Sequence, residues 1–108
     1  DSLEVVKACL AKGTAVLIDV REPFEWNDGH LKAATLVPLS DLREAKGDAD
    51  FAKKLVKKLP RNKVIYLHCR SGGRVMAAAP ILRAMKFDVR PLKAGYSTLV
   101  RAGFKKAK

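Results

Sequence analysis

Cysteine is scarce in this chain: Cys9 and Cys69 make up the whole complement, too few for a disulfide framework. One falls in a helical segment and the other at a strand end, which leans towards a reducing compartment. That suggests the cytoplasm, with the periplasm open because the chain starts at Asp1 rather than at a methionine. Such a start reads as a fragment or a processed product, so the lack of a leader peptide excludes little. Long hydrophobic runs are missing too. No stretch approaches the roughly 20 apolar residues of a membrane-spanning helix, and no membrane partner is expected. Aromatic residues are only 6%. The closing "RAGFKKAK", with a basic tail at about residues 103–108, lacks the aromatic interleaving of a single-strand nucleic-acid surface.

Negative charge is in short supply, with 11 acidic against 22 basic residues and a net charge of +11. Such a surplus suits nucleic acid, an anionic surface or small anionic substrates. Its distribution decides among them. Lys53, Lys54, Lys57 and Lys58 lie opposite Phe51, Leu55 and Leu59 on a helical wheel, as the solvated face of an amphipathic helix does. Small anions are favoured and a nucleic-acid partner is not expected.

What remains is an ordinary globular composition, 48% hydrophobic and 31% charged over 108 residues. It predicts a single domain over residues 1–108. Ser2 and Gly13 bracket a helix whose Leu3, Val6 and Leu10 share one face. "AVLIDV", Ala15 to Val20, and "VIYLH", Val64 to His68, read as strands buried on both sides. A short helix is expected from Pro23 to Asp28 and a short strand at "TLVPL", ended by Pro38. Helices follow at Asp41–Ala45, Asp50–Leu59 and about Arg74–Lys86, then a strand at Val89–Leu92 and a helix at Ser97–Ala102. Pro80 should bend the third of these helices and deprive the Met76 carbonyl of its partner, while Ala77 to Ala79 let the helix approach the sheet. Strands alternating with helices give an α/β fold with a mainly parallel sheet covered on both faces.

In such sheets ligands bind beyond the carboxyl ends of the strands, and Cys69 sits at one of those ends. The segment "HCRSGGR" then runs into a helix. Gly72 and Gly73 allow backbone amides to turn inwards as an anion nest, and the helix start adds its own free donors. Arg70 and Arg74 add positive potential. Each feature favours the charged form of a cysteine sulfur and welcomes an anionic substrate. A cysteine after an apolar strand is, on its own, more often a small buried hydrophobe; the two glycines and two arginines turn the reading towards a nucleophile.

At this point the chain closely resembles the single-domain rhodanese family of sulfurtransferases. "LIDVREPFEWNDGHLKAATLVPLSDL" follows that family's first motif, "HCRSGGR" its active-site loop and "PLKAGYSTLVRAGF" its closing segment, from about Ser2 to Phe104. The resemblance implies a rhodanese-like three-layer fold with four or five strands, an edge strand being expected before residue 1. It also implies sulfur transfer without a cofactor. Cys69 would take a sulfane sulfur from thiosulfate or a related donor and pass it, as a persulfide, to cyanide, a thiol or a protein acceptor. Arg70, Ser71, Gly72, Gly73 and Arg74 would form the substrate cradle, with the arginine side chains on the donor's anionic end. Asp19 and Arg21 would brace the site from the neighbouring strand. Ala34 and Ala94 stand where glycines are common, Leu99 or Val100 where an aromatic residue is usual, and Val75 where a serine is frequent.

Two other functions deserve weighing. Phosphatases and arsenate reductases of the same fold have five residues between cysteine and arginine, where this chain has four, Arg70 to Gly73. One residue adds about 3.8 Å of chain, so the smaller ring suits sulfur and the larger a tetrahedral oxyanion. His68 before the cysteine is the phosphatase-like feature; as a strand-end histidine it is expected to bond to nearby backbone. A phosphatase also needs a general acid, for which Asp19, Glu22, Glu25 and Asp28 are nominal candidates. The third function is a non-enzymatic sulfur carrier or partner-binding module. Trp26 and His30 read as packing and turn residues, and no metal site is expected.

Overall fold

In the computed structural model, which describes residues 2–107, six helices are interspersed with four strands, two helices in succession separating the second strand from the third. Helix α1 (Leu3–Lys12) starts where the Ser2 hydroxyl accepts the Val5 N–H at 3.2 Å and stops at Gly13. Strand β1 (Ala15–Asp19) leads into α2 (Pro23–Asn27), whose entry is held by the Glu22 N–H donating to the Glu25 carboxylate. Strand β2 (Ala34–Leu36) ends before Pro38, which opens α3 (Leu39–Gly47). Asp48 caps α4 (Ala49–Lys57) with its side chain. Strand β3 (Val64–His68), α5 (Arg74–Ala84), β4 (Val89–Pro91) and α6 (Tyr96–Arg101) complete the order.

The four strands are parallel in the order β2-β1-β3-β4. Alternation along the strands sorts the core into two faces. Ile18 and Val20 of the first strand segment, with Ile65 and Leu67 of β3, pack under α3, α4 and α5. Ala15, Leu17 and Tyr66 point the other way, against Val6 of α1 and Leu99 of α6. This is the expected three-layer α/β arrangement with helices on both faces. All strands being parallel, their carboxyl ends gather at one edge of the molecule, and Cys69 follows the last residue of the central strand β3.

Two details go beyond the sequence reading. Helix α3 begins at Leu39, earlier than expected, because Leu39 and Leu42 are both core residues. Helix α5 runs through Pro80 without interruption. Pro80 and Ala77 lie on its exposed side, and it is Ala78 and Ala79 that are buried against the core. Residues 103–107 of the closing segment are tied down. Phe104 is buried, the Lys32 N–H donates to the Lys105 carbonyl at 2.9 Å, and the Ala107 N–H to the His30 carbonyl at 2.8 Å.

Candidate active site

The cysteine loop leaves β3 at the centre of the sheet and ends in the first turn of α5. The Cys69 side chain is fully buried. The Gly72 N–H points at its sulfur, with N to Sγ at 3.0 Å. That geometry needs Gly72 at φ +92, and a side chain there would strike the Lys93 carbonyl oxygen at 2.6 Å. A second glycine fixes the loop from outside. Gly95 packs so closely that an added Cβ would lie 1.9 Å from the Arg70 carbonyl oxygen. The next residue donates its backbone N–H, Tyr96 to the Cys69 carbonyl, at 2.9 Å. The start of α6 is thus part of the cradle wall.

Asp19 and Arg21 sit together beside this loop, both buried. The Arg21 Nε donates to the Asp19 carboxylate at 3.0 Å and 3.1 Å, and its Nη2, 2.9 Å from the same carboxylate, donates to the Gly29 carbonyl at 2.7 Å. The guanidinium carbon lies 4.3 Å from the centre of the Tyr96 ring, a cation–π stack. One arginine therefore ties the end of β1 and the loop after α2 to the residue that holds the Cys69 carbonyl.

The remaining arginines differ from each other. Arg74 forms a two-pronged pair with Glu25 of α2, the second contact being 2.8 Å. The guanidinium holds the Glu25 carboxyl down at about 2, below its ordinary 4.5, and the pair in turn raises Arg74. Its side chain is engaged by the protein rather than turned to a donor. Arg70 is exposed and makes no ion pair among the described residues. With Arg21, Phe24, Asp28 and Tyr96 it lines an open cavity of about 660 Å³ beside the loop.

His68 corrects an expectation. It is fully buried, yet neither ring nitrogen finds a hydrogen-bond partner among the described residues. Its Nε2 faces Asp19 Oδ2 at 3.7 Å. Burial pushes the imidazole below its ordinary value, against the pull of Asp19, and so favours its neutral form. Trp26 and His30 stack with ring centres 3.6 Å apart, and the His30 Nδ1 lies 3.0 Å from the Trp26 carbonyl. Among the described residues no three histidine, cysteine or acidic side chains gather as a metal site, and no helix is long and apolar enough to cross a membrane.

Sequence reasoning missed Gly95, Tyr96 and the role of Glu25. Gly95 lay within the closing segment that resembles the rhodanese one, but nothing local marks its contact with a loop some 25 residues earlier. Glu25 was visible as a carboxylate, and only the fold brings it across 49 residues to Arg74.

A family model for the rhodanese-like domain matches residues 2–102. The chain belongs to the rhodanese-like domain family. It is 32% identical over 90 residues to thiosulfate sulfurtransferase 16 of Arabidopsis thaliana, covering 80% of this chain and 74% of that one. It is 37% identical over 84 residues to the probable adenylyltransferase/sulfurtransferase MoeZ of Mycobacterium tuberculosis. That match covers 78% of this chain and only 17% of MoeZ, so the rhodanese-like unit here corresponds to a small part of the larger protein. The solved structure of the human single-domain sulfurtransferase TSTD1 superposes with a TM-score of 0.76 at 24% identity over 94% of both chains. The likeness at that identity concerns the fold.

Proposed function

We propose that this rhodanese-like protein is a sulfurtransferase that carries sulfane sulfur on Cys69. The observation that carries the reading is the Gly72 N–H aimed at the Cys69 sulfur at 3.0 Å, inside a loop with four residues between cysteine and arginine. A donor there stabilises a thiolate before reaction and the terminal sulfur charge after it. In the first half-reaction the thiolate attacks the outer sulfur of thiosulfate. The S–S bond breaks, and sulfite leaves with the electron pair. In the second, cyanide or a thiolate attacks the outer sulfur of the persulfide, and Cys69 departs as the thiolate. No net oxidant enters, and ping-pong kinetics follow. Arg70 holds the anionic end of the donor. Asp19, Arg21 and Tyr96 keep the loop in place, and Arg74, paired with Glu25, anchors its far end.

Three of the four acids open to a phosphatase are engaged: Glu25 is ionised far below neutrality, Asp19 is bound by Arg21, and Glu22 accepts the Ser40 hydroxyl at 2.6 Å. Asp28, exposed on the cavity rim, is the candidate that remains for that reading. Intact mass after thiosulfate treatment tests the covalent step. A gain of about 32 Da is expected, absent in Cys69→Ala and retained in Cys9→Ala. An active enzyme with no adduct, or full activity in Cys69→Ala, sinks the reading. Phosphate release from an aryl phosphate without sulfur transfer establishes the rival. Stoichiometric adduct with negligible turnover to cyanide identifies the carrier.

A further inference from the structure

Helix α5 is apolar on the wrong side as well as the right one. Val75, Ala78, Ala79 and Leu82 fill the core, as an amphipathic helix requires. The opposite face carries Met76, Ala77, Pro80 and Ala84, all exposed and interrupted only near its end by the exposed Arg83, and Met76 keeps 63% of its surface in solvent. A solvent-facing helix surface normally carries charged or polar side chains. Here it borders a groove of about 710 Å³ between α5 and α3. Ala77, Pro80, Ile81 and Ala84 line one side of that groove, and Arg43 and Lys46 of α3 the other. Pro80 adds to the anomaly. It has no N–H to give the Met76 carbonyl, and it presents its ring to the groove in place of a polar side chain.

We propose that this groove docks an acidic amphipathic helix of a partner protein. An apolar floor between two helices is the geometry into which such a helix lays its own apolar face. The charges choose the sign of the partner. Both ionic residues on the rim are cationic, and the exposed α3 acid, Glu44, is not among the lining residues. A second copy of this chain is disfavoured because each carries a net charge of +11, which repels like protomers. The groove is separate from the cavity beside the cysteine loop, with which it shares no lining residue. The inference rests on the α3–α5 surface and stands whether or not Cys69 turns over.

The test uses the full chain, labelled with nitrogen-15, and two synthetic peptides. One is an amphipathic helix with leucines at i, i+3, i+4 and i+7 flanked by glutamates; the other has lysine at every glutamate. The glutamate peptide is expected to bind saturably, with amide shifts confined to α3 and α5. Its affinity should exceed that of the lysine peptide at least tenfold and weaken as salt rises. Ala84→Glu and the pair Arg43→Glu and Lys46→Glu should each lower that affinity at least fivefold. Because these residues lie outside the cysteine cradle, the nitrogen-15 amide spectra of both variants should keep the native dispersion outside α3 and α5, which reports that they are folded. Absence of saturable binding, shifts spread over the whole basic surface, or equal binding of both peptides overturns the proposal. So does a concentration-dependent dimer in sedimentation that Ala84→Glu dissolves, since the groove would then belong to a second copy.

Discussion

Glu25→Gln removes one charge from the site while keeping the shape of the side chain. In the native protein both guanidinium nitrogens of Arg74 contact the Glu25 carboxylate, which is 12% exposed. The carboxyl is held at about 2 against an ordinary 4.5. Linkage sets the sign. A carboxyl depressed in the folded state contributes stability above its unfolded value and loses it as pH falls through the folded one. Arg74 is 31% exposed, so solvent screening reduces the full linkage value, and the pair is expected to contribute about 1–3 kcal/mol. At pH 7 the glutamine variant should therefore melt about 5–15 °C below the native protein. Lowering the pH from 4.5 towards 2 should erase most of the gap, because there the unfolded chain takes up a proton that the paired native carboxylate resists, and the glutamine has no such proton to bind. Denaturant titrations of both proteins at pH 7 and pH 3 measure the difference directly. A gap of equal size at the two pH values refutes the charge pairing, since only shape would then be at stake.

Three further perturbations separate the parts of the cradle. Gly95→Ala places a methyl group against the Arg70 carbonyl and should slow persulfide formation more than tenfold at a stability cost of about 1–3 kcal/mol; a stopped-flow rate equal to the native one removes Gly95 from the cradle. Arg70→Ala takes away the exposed cation and should raise the KM for thiosulfate about three- to tenfold with kcat little changed, while a selective loss of kcat would place Arg70 in the transition state instead. His68→Leu removes two buried nitrogens without partners, so its stability at pH 7 should fall within about 1 kcal/mol of the native value. Because burial lowers the native imidazole, native stability should decline as pH drops below 6.5 and the leucine variant should not follow; parallel curves between pH 7 and pH 5 contradict a neutral buried His68.

The division between what the sequence revealed and what it hid follows the range of the forces involved. Strands β1 and β3 were legible because burial on both faces demands unbroken apolar runs, and α1 because Ser2 and Gly13 solve its end problems locally. The cysteine loop was legible for the same reason: its glycines, arginines and helix start are contiguous. Arg74 looked like a substrate ligand because a guanidinium near a nucleophile has that meaning until a carboxylate claims it, and the claimant lies 49 residues away. Arg21 is claimed in the same manner by Asp19 and Gly29. Of the three arginines assigned to the site, two are spent on holding the walls, and Arg70 alone faces the cavity without an ion pair among the described residues. On the proposed reading, the positive potential that a donor would meet is therefore that one side chain and the Gly72 N–H. Such a site would suit a single small anionic group at the sulfur and leave discrimination among acceptors to whatever approaches over Phe24 and Asp28 on the rim.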